Sequence, residues 1–264
     1  MRFEDARAVV VGAGQTPGET IGNGRAISLL LAREGAHVLA VDRDLASAEQ
    51  TCEMIRAEGG TATPWRADIT SDADCRGIAA AGLEQLGGID VLVNNVGIGT
   101  GDAGVTRLEE SAWDLIHDVN LKGPWMTCKH VLPIMATEGK GSVVNVSSVA
   151  AVCSVGFVAY KTSKAALNAL THQMAMSGAS RGIRVNAVMP GLMDTPMGIE
   201  SMAAATGVDR DELRRARDQM VPLGNRMGTA WDVANAVAFL ASDDAGFITS
   251  VVLPVDGGQS GRIG

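Results

Sequence analysis

A tyrosine and a lysine four positions apart, Tyr160 and Lys164, are the residues of this chain best suited to move a proton. On one helix they share a face, so the ammonium can approach the phenol. A free tyrosine has a pKa of about 10 and is a weak base at neutral pH, but a nearby positive charge stabilises its phenolate. Upstream, Ser147 or Ser148 can hold a substrate oxygen. These residue types predict proton transfer to a carbonyl or from an alcohol.

Because a tyrosine and a lysine also meet on helices by chance, the surrounding sequence decides between the two interpretations. Tyr160 is the only tyrosine of the chain. It follows an apolar strand pattern at 143–146 that ends in two serines. The segment 150–157 between the serines and the helix is uncharged. This context favours a catalytic pair.

A glycine-rich segment, residues 12–24, lies between a predicted strand at 6–11 and a predicted helix at 25–33. Glycines let a backbone approach a pyrophosphate, and a helix N-terminus favours its negative charge. The next predicted strand ends at Asp42, whose carboxylate can accept hydrogen bonds from ribose hydroxyls and repel a 2′-phosphate. Arg43 keeps an alternative open, because an arginine can accept that phosphate. These residues predict a dinucleotide site that favours NAD over NADP.

Predicted strands and helices alternate along nearly the whole chain. This alternation indicates an α/β fold, with a doubly wound parallel sheet and helices on both of its faces. A chain of 264 residues is long enough for one such domain, and we predict a single domain over residues 1–264. Ligands bind at the carboxyl ends of the strands in sheets of this kind, so we expect the site at that edge.

Two other segments bring polar residues to the same edge. The fourth predicted strand leads into Asn95 and Gly97, residue types that also occur in simple turns. A long helical pattern at 109–135 is interrupted by Asn120 and Gly123, which are unfavourable in a helix interior. We therefore predict a bend at this point, and a bend can free backbone groups near the site.

Residues 192–227 have the least regular pattern and contain five methionines. Each methionine taken singly is typical of core packing. Grouped after a strand end, they predict an adaptable lid over an apolar substrate. The charged run at 209–218 within this segment is typical of a solvated helix face.

Composition argues against several classes of protein. A formal net charge of −8 and a pI near 5.0 argue against nucleic acid as a partner. No apolar run approaches the roughly 20 residues of a membrane span, and the first residues lack a signal-peptide pattern. The four cysteines have no metal-ligand spacing, so we predict free thiols, no metal site and a cytoplasmic location.

Together these motifs resemble the short-chain dehydrogenase/reductase family, in its single-domain, NAD(P)-dependent branch. The resemblance extends from the glycine-rich segment to Val255-Asp256-Gly257-Gly258 and so covers almost the whole chain. It implies a Rossmann-like fold, a nicotinamide cofactor, and a dimer or tetramer of identical chains.

The resemblance also implies a role for each matching residue. Tyr160 is the acid/base and also lies at the cofactor, Lys164 lowers the pKa of Tyr160 and binds the nicotinamide ribose, and a serine orients the substrate oxygen. Asn120 holds a water in a proton relay, and Thr195 holds the nicotinamide amide. The other residues implied at the cofactor are Gly12, Gly22, Asn23, Gly24, Asp42, Arg43, Asp68, Ile69, Asn95, Gly97, Pro190 and Gly191.

The glycine-rich segment departs from the family pattern in its length. Gly14 and Gly22 are normally separated by one residue, and here residues 15–21 intervene. The insertion leaves open which backbone amides meet the pyrophosphate, because Gln15 or a threonine of the insertion, Thr16 or Thr20, can replace some of them.

A second departure concerns the catalytic serine. The usual spacing to Tyr160 selects Ser147, whereas the usual position within the serine pair selects Ser148 and a loop shorter by one residue. We favour Ser148, because a loop changes length more readily than a strand end changes register.

The sequence thus predicts an NAD-dependent oxidoreductase that interconverts a secondary alcohol and a ketone. The uncharged segment 150–157 and the methionine-rich lid predict a mainly apolar small-molecule substrate. One alternative on the same fold is an isomerase or dehalogenase, which loss of the glycine loop or of the lysine would favour. Another is a non-catalytic nucleotide sensor. The set Asn120, Ser148, Tyr160 and Lys164 argues against a sensor, which needs no acid/base.

Overall fold

The computed structural model describes residues 1–262. Its strands are β1 (Arg7–Val11), β2 (His37–Asp42), β3 (Thr61–Arg66), β4 (Val91–Asn94), β5 (Gly141–Val146), β6 (Ile183–Pro190), β7 (Met193–Asp194), β8 (Gly228–Thr229) and β9 (Val252–Val255). Seven of them form one parallel sheet in the order β3-β2-β1-β4-β5-β6-β9. The short strands β7 and β8 pair with each other outside it.

The α-helices are α1 (Asn23–Arg33), α2 (Leu45–Ala57), α3 (Asp72–Ala81), α4 (Glu110–His117), α5 (Gly123–Glu138), α6 (Ala159–Gly178), α7 (Pro196–Thr206), α8 (Arg210–Asp218) and α9 (Ala230–Ala241). Helices α1, α2 and α9 pack on one face of the sheet, and α3, α5 and α6 pack on the other. The predicted doubly wound α/β fold is confirmed. Within residues 1–262, no helix has the length and apolar character needed to cross a membrane.

The strands are continuous apolar runs because both faces of the sheet are covered. In β1, Ala8 and Val10 belong to the core under α1 and α9, while Val9 and Val11 belong to the core under α3 and α5. Successive side chains of a strand point to opposite faces, so every position of β1 that enters a core must be apolar.

The chain changes direction in the sheet between β1 and β4. It winds outward from β1 to β2 and β3, then crosses back to place β4 on the other side of β1. The crevice at such a switch point is where open α/β sheets bind ligands. Gly12 and Asn95 follow the two strands, and the Asn95 Nδ2 donates a 2.8 Å hydrogen bond to the Gly12 carbonyl.

The predicted bend in the helical pattern at 109–135 is a π-helical turn. Residues Asp118–Lys122 join α4 to α5, and the Gly123 N–H donates to the Asp118 carbonyl five residues earlier. Asn120 lies in the middle of this turn and is fully buried.

Residues 192–227 are more regular than their sequence pattern suggests, because each helix in this segment has a local cap. The Thr195 hydroxyl accepts from the Gly198 N–H at the start of α7, and Asp209 accepts from two N–H groups at the start of α8. Gly207, with φ of 71°, ends α7. Helix α8 has no buried residue, which confirms the predicted solvated face.

Candidate active site

Helix α6 presents Tyr160 and Lys164 on one face at the carboxyl edge of the sheet. Lys164 is only 2% exposed, and its Nζ donates a 2.8 Å hydrogen bond to the Val146 carbonyl at the end of β5. The same Nζ lies 5.8 Å from the centroid of the Tyr160 ring. Burial lowers the pKa of Lys164 to about 8, so the ammonium remains mostly protonated at neutral pH.

The phenol of Tyr160 is held mainly as the neutral acid in this structure. Tyr160 keeps part of its surface accessible, but the protein around it raises the pKa of the phenol above its ordinary value. The Ser148 hydroxyl acts in the opposite direction and lowers that pKa. The pKa-lowering role that the family resemblance gives to Lys164 stays a prediction.

The two serines that follow β5 point in different directions. Ser147 is buried, and its Oγ donates a 3.2 Å hydrogen bond to the Lys164 carbonyl within α6. Ser148 is half-buried, and its Oγ accepts a 3.1 Å hydrogen bond from the Ala150 N–H. Only the hydroxyl of Ser148 influences the Tyr160 phenol. This geometry favours Ser148 as the serine that faces a substrate oxygen.

Asn120 connects the π-helical turn to the loop after β4. Its Oδ1 accepts from the Ile98 N–H at 2.8 Å, and its Nδ2 donates to the Ile98 carbonyl at 2.9 Å. The same Nδ2 lies 3.1 Å from the Ser163 Oγ, which donates to the Tyr160 carbonyl at 2.8 Å. Next to Ile98, a Cβ built on Gly97 would lie 2.9 Å from the Lys164 Nζ.

The glycine-rich segment fits closely between β1 and α1. Gly12 has φ of 82°, which favours glycine, and a Cβ on Gly24 would lie only 1.8 Å from the Gly12 carbonyl oxygen. Gly22 immediately precedes α1. The Oδ1 of Asn23, in the first turn of α1, is buried and has no hydrogen-bond partner among residues 1–262. The glycines thus let α1 pack closely against β1, and the first turn of α1 carries an unsatisfied hydrogen-bond acceptor in the Asn23 side chain.

The insertion, residues 15–21, folds back on the loop through Gln15. The Gln15 Oε1 accepts from the Gly22 N–H at 2.9 Å, and its backbone N–H donates to the Ser47 Oγ at 2.9 Å. Gln15 therefore uses its side-chain acceptor inside the loop, while Thr16 is exposed.

The same insertion contacts the segment 192–227. A Cβ on Gly18 would meet Pro196 and Glu200 at 2.9 and 2.8 Å. The Glu19 carboxylate lies 3.4 Å from the Arg214 guanidinium and 4.0 Å from that of Arg210. The longer glycine loop thus contacts α7 and α8 directly.

The carboxylate of Asp42 is oriented at the end of β2. Its Oδ2 accepts from the Gly14 N–H and its Oδ1 from the Asp44 N–H, each at 3.0 Å. A cavity of about 730 Å³ lies beyond it at the carboxyl ends of β2 and β3. The residues that line it include Arg43, Trp65, Arg66 and Asp68.

The other predicted cofactor residues lie at or after the carboxyl ends of β3 and β6. Ile69 is buried, and a Cβ on Gly123 would lie 2.5 Å from the Ile69 Cδ1. The Ile69 side chain therefore packs against the start of α5, which leaves the Ile69 backbone to face the crevice. Pro190 ends β6, the Gly191 N–H donates to the Val255 carbonyl, and the buried Thr195 precedes α7.

The structure brings Gly97 to Lys164 and Asn95 to Gly12, and it joins Asp42 to the glycine loop through the Gly14 N–H. That these residues hold one cofactor stays a prediction. Sequence reasoning did not identify Asp102, whose carboxylate contacts the first turn of α6. The one signal for it was an acidic residue in a loop of small residues after β4.

Comparison with known proteins identifies the family. A family model described as "Enoyl-(Acyl carrier protein) reductase" matches residues 19–260. A 3-oxoacyl-(acyl-carrier-protein) reductase FabG of Thermotoga maritima is 36% identical over 98% of this chain and 99% of its own. A 2-(R)-hydroxypropyl-CoM dehydrogenase of Xanthobacter autotrophicus is 39% identical over 91% of this chain and 95% of its own.

Solved structures agree with the sequence comparison. A short-chain dehydrogenase/reductase from Burkholderia xenovorans superposes with a TM-score of 0.94 and 40% identity, covering 100% of this chain and 99% of that one. An NAD⁺-bound xylitol dehydrogenase superposes with a TM-score of 0.89 and 31% identity, covering 98% and 100%. The chain belongs to the short-chain dehydrogenase/reductase family, a family of oxidoreductases.

Proposed function

We propose that this protein is an NAD-dependent oxidoreductase that interconverts a secondary alcohol and a ketone. The observation that carries the proposal is the cluster of Ser148, Tyr160 and Lys164 at the carboxyl edge of the sheet. A phenol, a hydroxyl that influences its pKa and a buried ammonium within 5.8 Å of the ring are the groups that proton transfer at an alcohol oxygen requires.

Each of the three side chains has its own role in the proton transfer. Ser148 donates or accepts a hydrogen bond at the substrate oxygen and orients it towards the phenol. Tyr160, as phenolate, takes the hydroxyl proton of an alcohol; in the reverse direction its phenol returns a proton to the ketone oxygen. Lys164 stabilises the phenolate by its charge. A nicotinamide held in this site would supply the hydride chemistry.

The crevice fits a nicotinamide dinucleotide. Gly12 and Gly24 bring backbone to the N-terminus of α1, where a pyrophosphate is favoured. The Asp42 carboxylate has lone pairs left after its two backbone contacts and can accept from ribose hydroxyls. Its charge opposes a 2′-phosphate, which supports NAD. Arg43 lines the neighbouring cavity and is the residue that would instead support NADP.

The substrate side supports a mainly apolar alcohol or ketone. Between the serines and α6, the side chains of Val152, Val155 and Phe157 are 59%, 37% and 40% exposed. In the proposed lid, residues 192–227, Met193 and Met227 are buried, while the remaining methionines are available to contact a substrate.

We further propose that the chain forms a homo-oligomer. The large aromatic side chains of Trp113 and Trp125, on α4 and α5, are 38% and 46% exposed, and that of Phe247 is fully exposed. Exposed aromatic surface of this kind is typical of protein–protein contacts. Light scattering on the purified protein tests this proposal: a dimer or tetramer supports it, and a monomer contradicts it. The cytoplasmic location stays a prediction.

The test is a panel of secondary alcohols and ketones with NAD(H) and NADP(H), assayed in both directions. The panel includes cyclic alcohols, a steroid, a sugar alcohol and, because of the FabG relative, a 3-hydroxyacyl thioester. Turnover that prefers NAD over NADP supports the proposal. Turnover only with NADP contradicts the cofactor assignment, and tight NADH binding without turnover on any substrate favours the nucleotide sensor.

Asp42→Ser tests the basis of the cofactor preference. Removing the carboxylate removes the repulsion of a 2′-phosphate, so the ratio of kcat/KM for NAD over NADP should fall by about tenfold or more. Arg43→Ala is the matched variant. It removes the cation that would accept a 2′-phosphate, so its kcat/KM with NADP should fall below that of the wild type. An unchanged ratio in Asp42→Ser would show that Asp42 does not select the cofactor.

A further inference from the structure

Helix α6 begins without a capping side chain of its own. Val158, at its N-terminal boundary, makes no side-chain hydrogen bond to the first turn. The partner comes instead from the loop after β4: the Asp102 Oδ1 accepts from the N–H groups of Val158 and Ala159, each at 3.1 Å. The Asp102 Oδ2 accepts from the Tyr160 N–H at 2.6 Å. A residue 58 positions away in sequence therefore caps the helix that carries the phenol.

The loop that carries Asp102, residues 97–102, is fixed at its other end by the catalytic cluster. Asn120 binds both backbone groups of Ile98. A Cβ on Gly99 would lie 3.6 Å from the Tyr160 ring, so the loop passes directly beside the phenol. This loop links the edge of the sheet at Asn120 to the first turn of α6.

We propose that Asp102 is a positioning residue for Tyr160, which it holds at the height and orientation that proton transfer requires. The inference rests on the proposed function. The segment 152–157 that enters α6 is largely exposed, and it contacts the first turn through the Lys161 Nζ, which donates to the Cys153 carbonyl at 2.6 Å. The Asp102 carboxylate is the side-chain group that binds the backbone N–H groups of that turn. Displacement of a reacting group by about 1 Å can cost about 100-fold in rate. The carboxylate fixes the backbone of Tyr160 itself, and so the origin of its side chain.

The single tyrosine makes the proposal measurable without a substrate. Because Tyr160 is the only tyrosine, tyrosinate absorbance on alkaline titration reports this phenol alone. In Asp102→Ala, the first turn loosens, the phenol becomes more hydrated and a nearby negative charge disappears. Greater hydration and the loss of the negative charge both favour the phenolate, so the onset of tyrosinate absorbance should move to lower pH. Within residues 1–262, the other charged or polar groups near the phenol are Lys164 of α6 and the Ser148 hydroxyl.

Activity gives the second measurement. Asp102→Ala should lower kcat by about tenfold to 100-fold with a smaller change in KM, because the variant disturbs the reacting group and not the substrate surface. Asp102→Asn can keep an acceptor for Val158 and Ala159 while it turns an amide NH₂ towards the Tyr160 N–H. Its kcat, and the pH at which its tyrosinate absorbance begins to rise, should therefore lie between those of wild type and Asp102→Ala.

Asp232→Ala is the matched control, because Asp232 is an acidic residue in the capping box of α9. It should lower thermal stability and leave both kcat and the tyrosinate titration unchanged. The proposal is overturned if Asp102→Ala behaves like Asp232→Ala, with a loss of stability only. If Asp102→Ala does not fold, Asp102→Asn is compared with Asp232→Ala instead, and a loss of stability alone in Asp102→Asn overturns the proposal. If no substrate is turned over, the proposed function fails and the titration still tests Asp102.

Discussion

The Asn120 side chain forms two hydrogen bonds with the backbone of a single residue, Ile98. It accepts from the Ile98 N–H at 2.8 Å and donates to the Ile98 carbonyl at 2.9 Å. The π-helical turn and the loop after β4 are therefore held at a fixed separation, and Gly97 is placed against the Lys164 Nζ.

Asn120→Leu should destabilise the fold as well as the site. The substitution leaves the half-buried N–H and carbonyl of Ile98 without these partners, and an unsatisfied group costs about 1–3 kcal/mol when water cannot replace its partner. We expect the free energy of unfolding to fall by about 2 kcal/mol or more, measured by urea denaturation, and kcat to fall with it. Asn235→Leu, on the exposed face of α9, is the control and should change the free energy of unfolding by less than about 0.5 kcal/mol. Equal effects of the two substitutions would contradict this account of Asn120.

Lys164 should make stability depend on pH in the alkaline range. Its pKa is about 8 in the folded chain and 10.5 as the ordinary value, so the unfolded state binds more protons between these two pH values. Wild-type stability should therefore rise relative to Lys164→Met as pH increases from about 8 to 10.5. A pKa difference of this size corresponds to about 3 kcal/mol.

The measurement for Lys164 is urea denaturation of both proteins across that pH range. The difference between their free energies of unfolding isolates the lysine from other titrating groups. A difference that stays constant with pH would show that burial does not depress the pKa of Lys164.

Gly24→Ala should destabilise a helix that alanine would ordinarily favour. The new Cβ would lie 1.8 Å from the Gly12 carbonyl oxygen and would separate α1 from β1. Overpacking of this kind costs about 1–3 kcal/mol, and NAD binding should weaken because the phosphate loop moves. The control, Gly77→Ala in α3, meets no atom within 4 Å and should gain about 1 kcal/mol. Denaturation measures both changes, and a stabilised Gly24→Ala would refute the close contact.

Most of the fold could be predicted from the sequence because its signals are local. Continuous apolar runs of five or six residues alternate with helical spacing, and buried parallel strands require this pattern. Tyr160 and Lys164 could be related because four residues on one helix fix their proximity. Helix α7 is not evident from the loose methionine pattern although Thr195 is an ordinary cap, whereas the charged run at 209–218 predicts the solvated face of α8.

Contacts between segments distant in sequence, and contacts that depend on the orientation of one side chain, could not be predicted. Asp102 caps α6 only because the sheet brings the end of β4 next to that of β5. The conformation of the insertion depends on the Gln15 side chain turning back to the Gly22 N–H, and no local pattern specifies this. These contacts become visible once the topology is known.

Glu19 should link the inserted loop to the proposed lid. Glu19→Gln removes the carboxylate that faces Arg214 and Arg210. Ion pairs between exposed groups contribute about 1 kcal/mol at most, so we expect NADH to dissociate up to about fivefold faster, with little change in stability. The difference should fade at high salt, because salt screens exposed charges. Stopped-flow measurement of NADH release tests this, with the exposed Glu84→Gln as control; identical release rates would contradict the link.

The central claim, that Tyr160 is the acid/base, is tested most directly by comparing wild type with Tyr160→Phe. The measurement is NADH formation from the best alcohol of the panel, together with NADH binding by fluorescence. We predict that kcat falls by about 100-fold to 10,000-fold while the Kd for NADH is unchanged, because the substitution removes only the phenolic hydroxyl. A Tyr160→Phe protein that keeps wild-type kcat would show that the proton moves through another group.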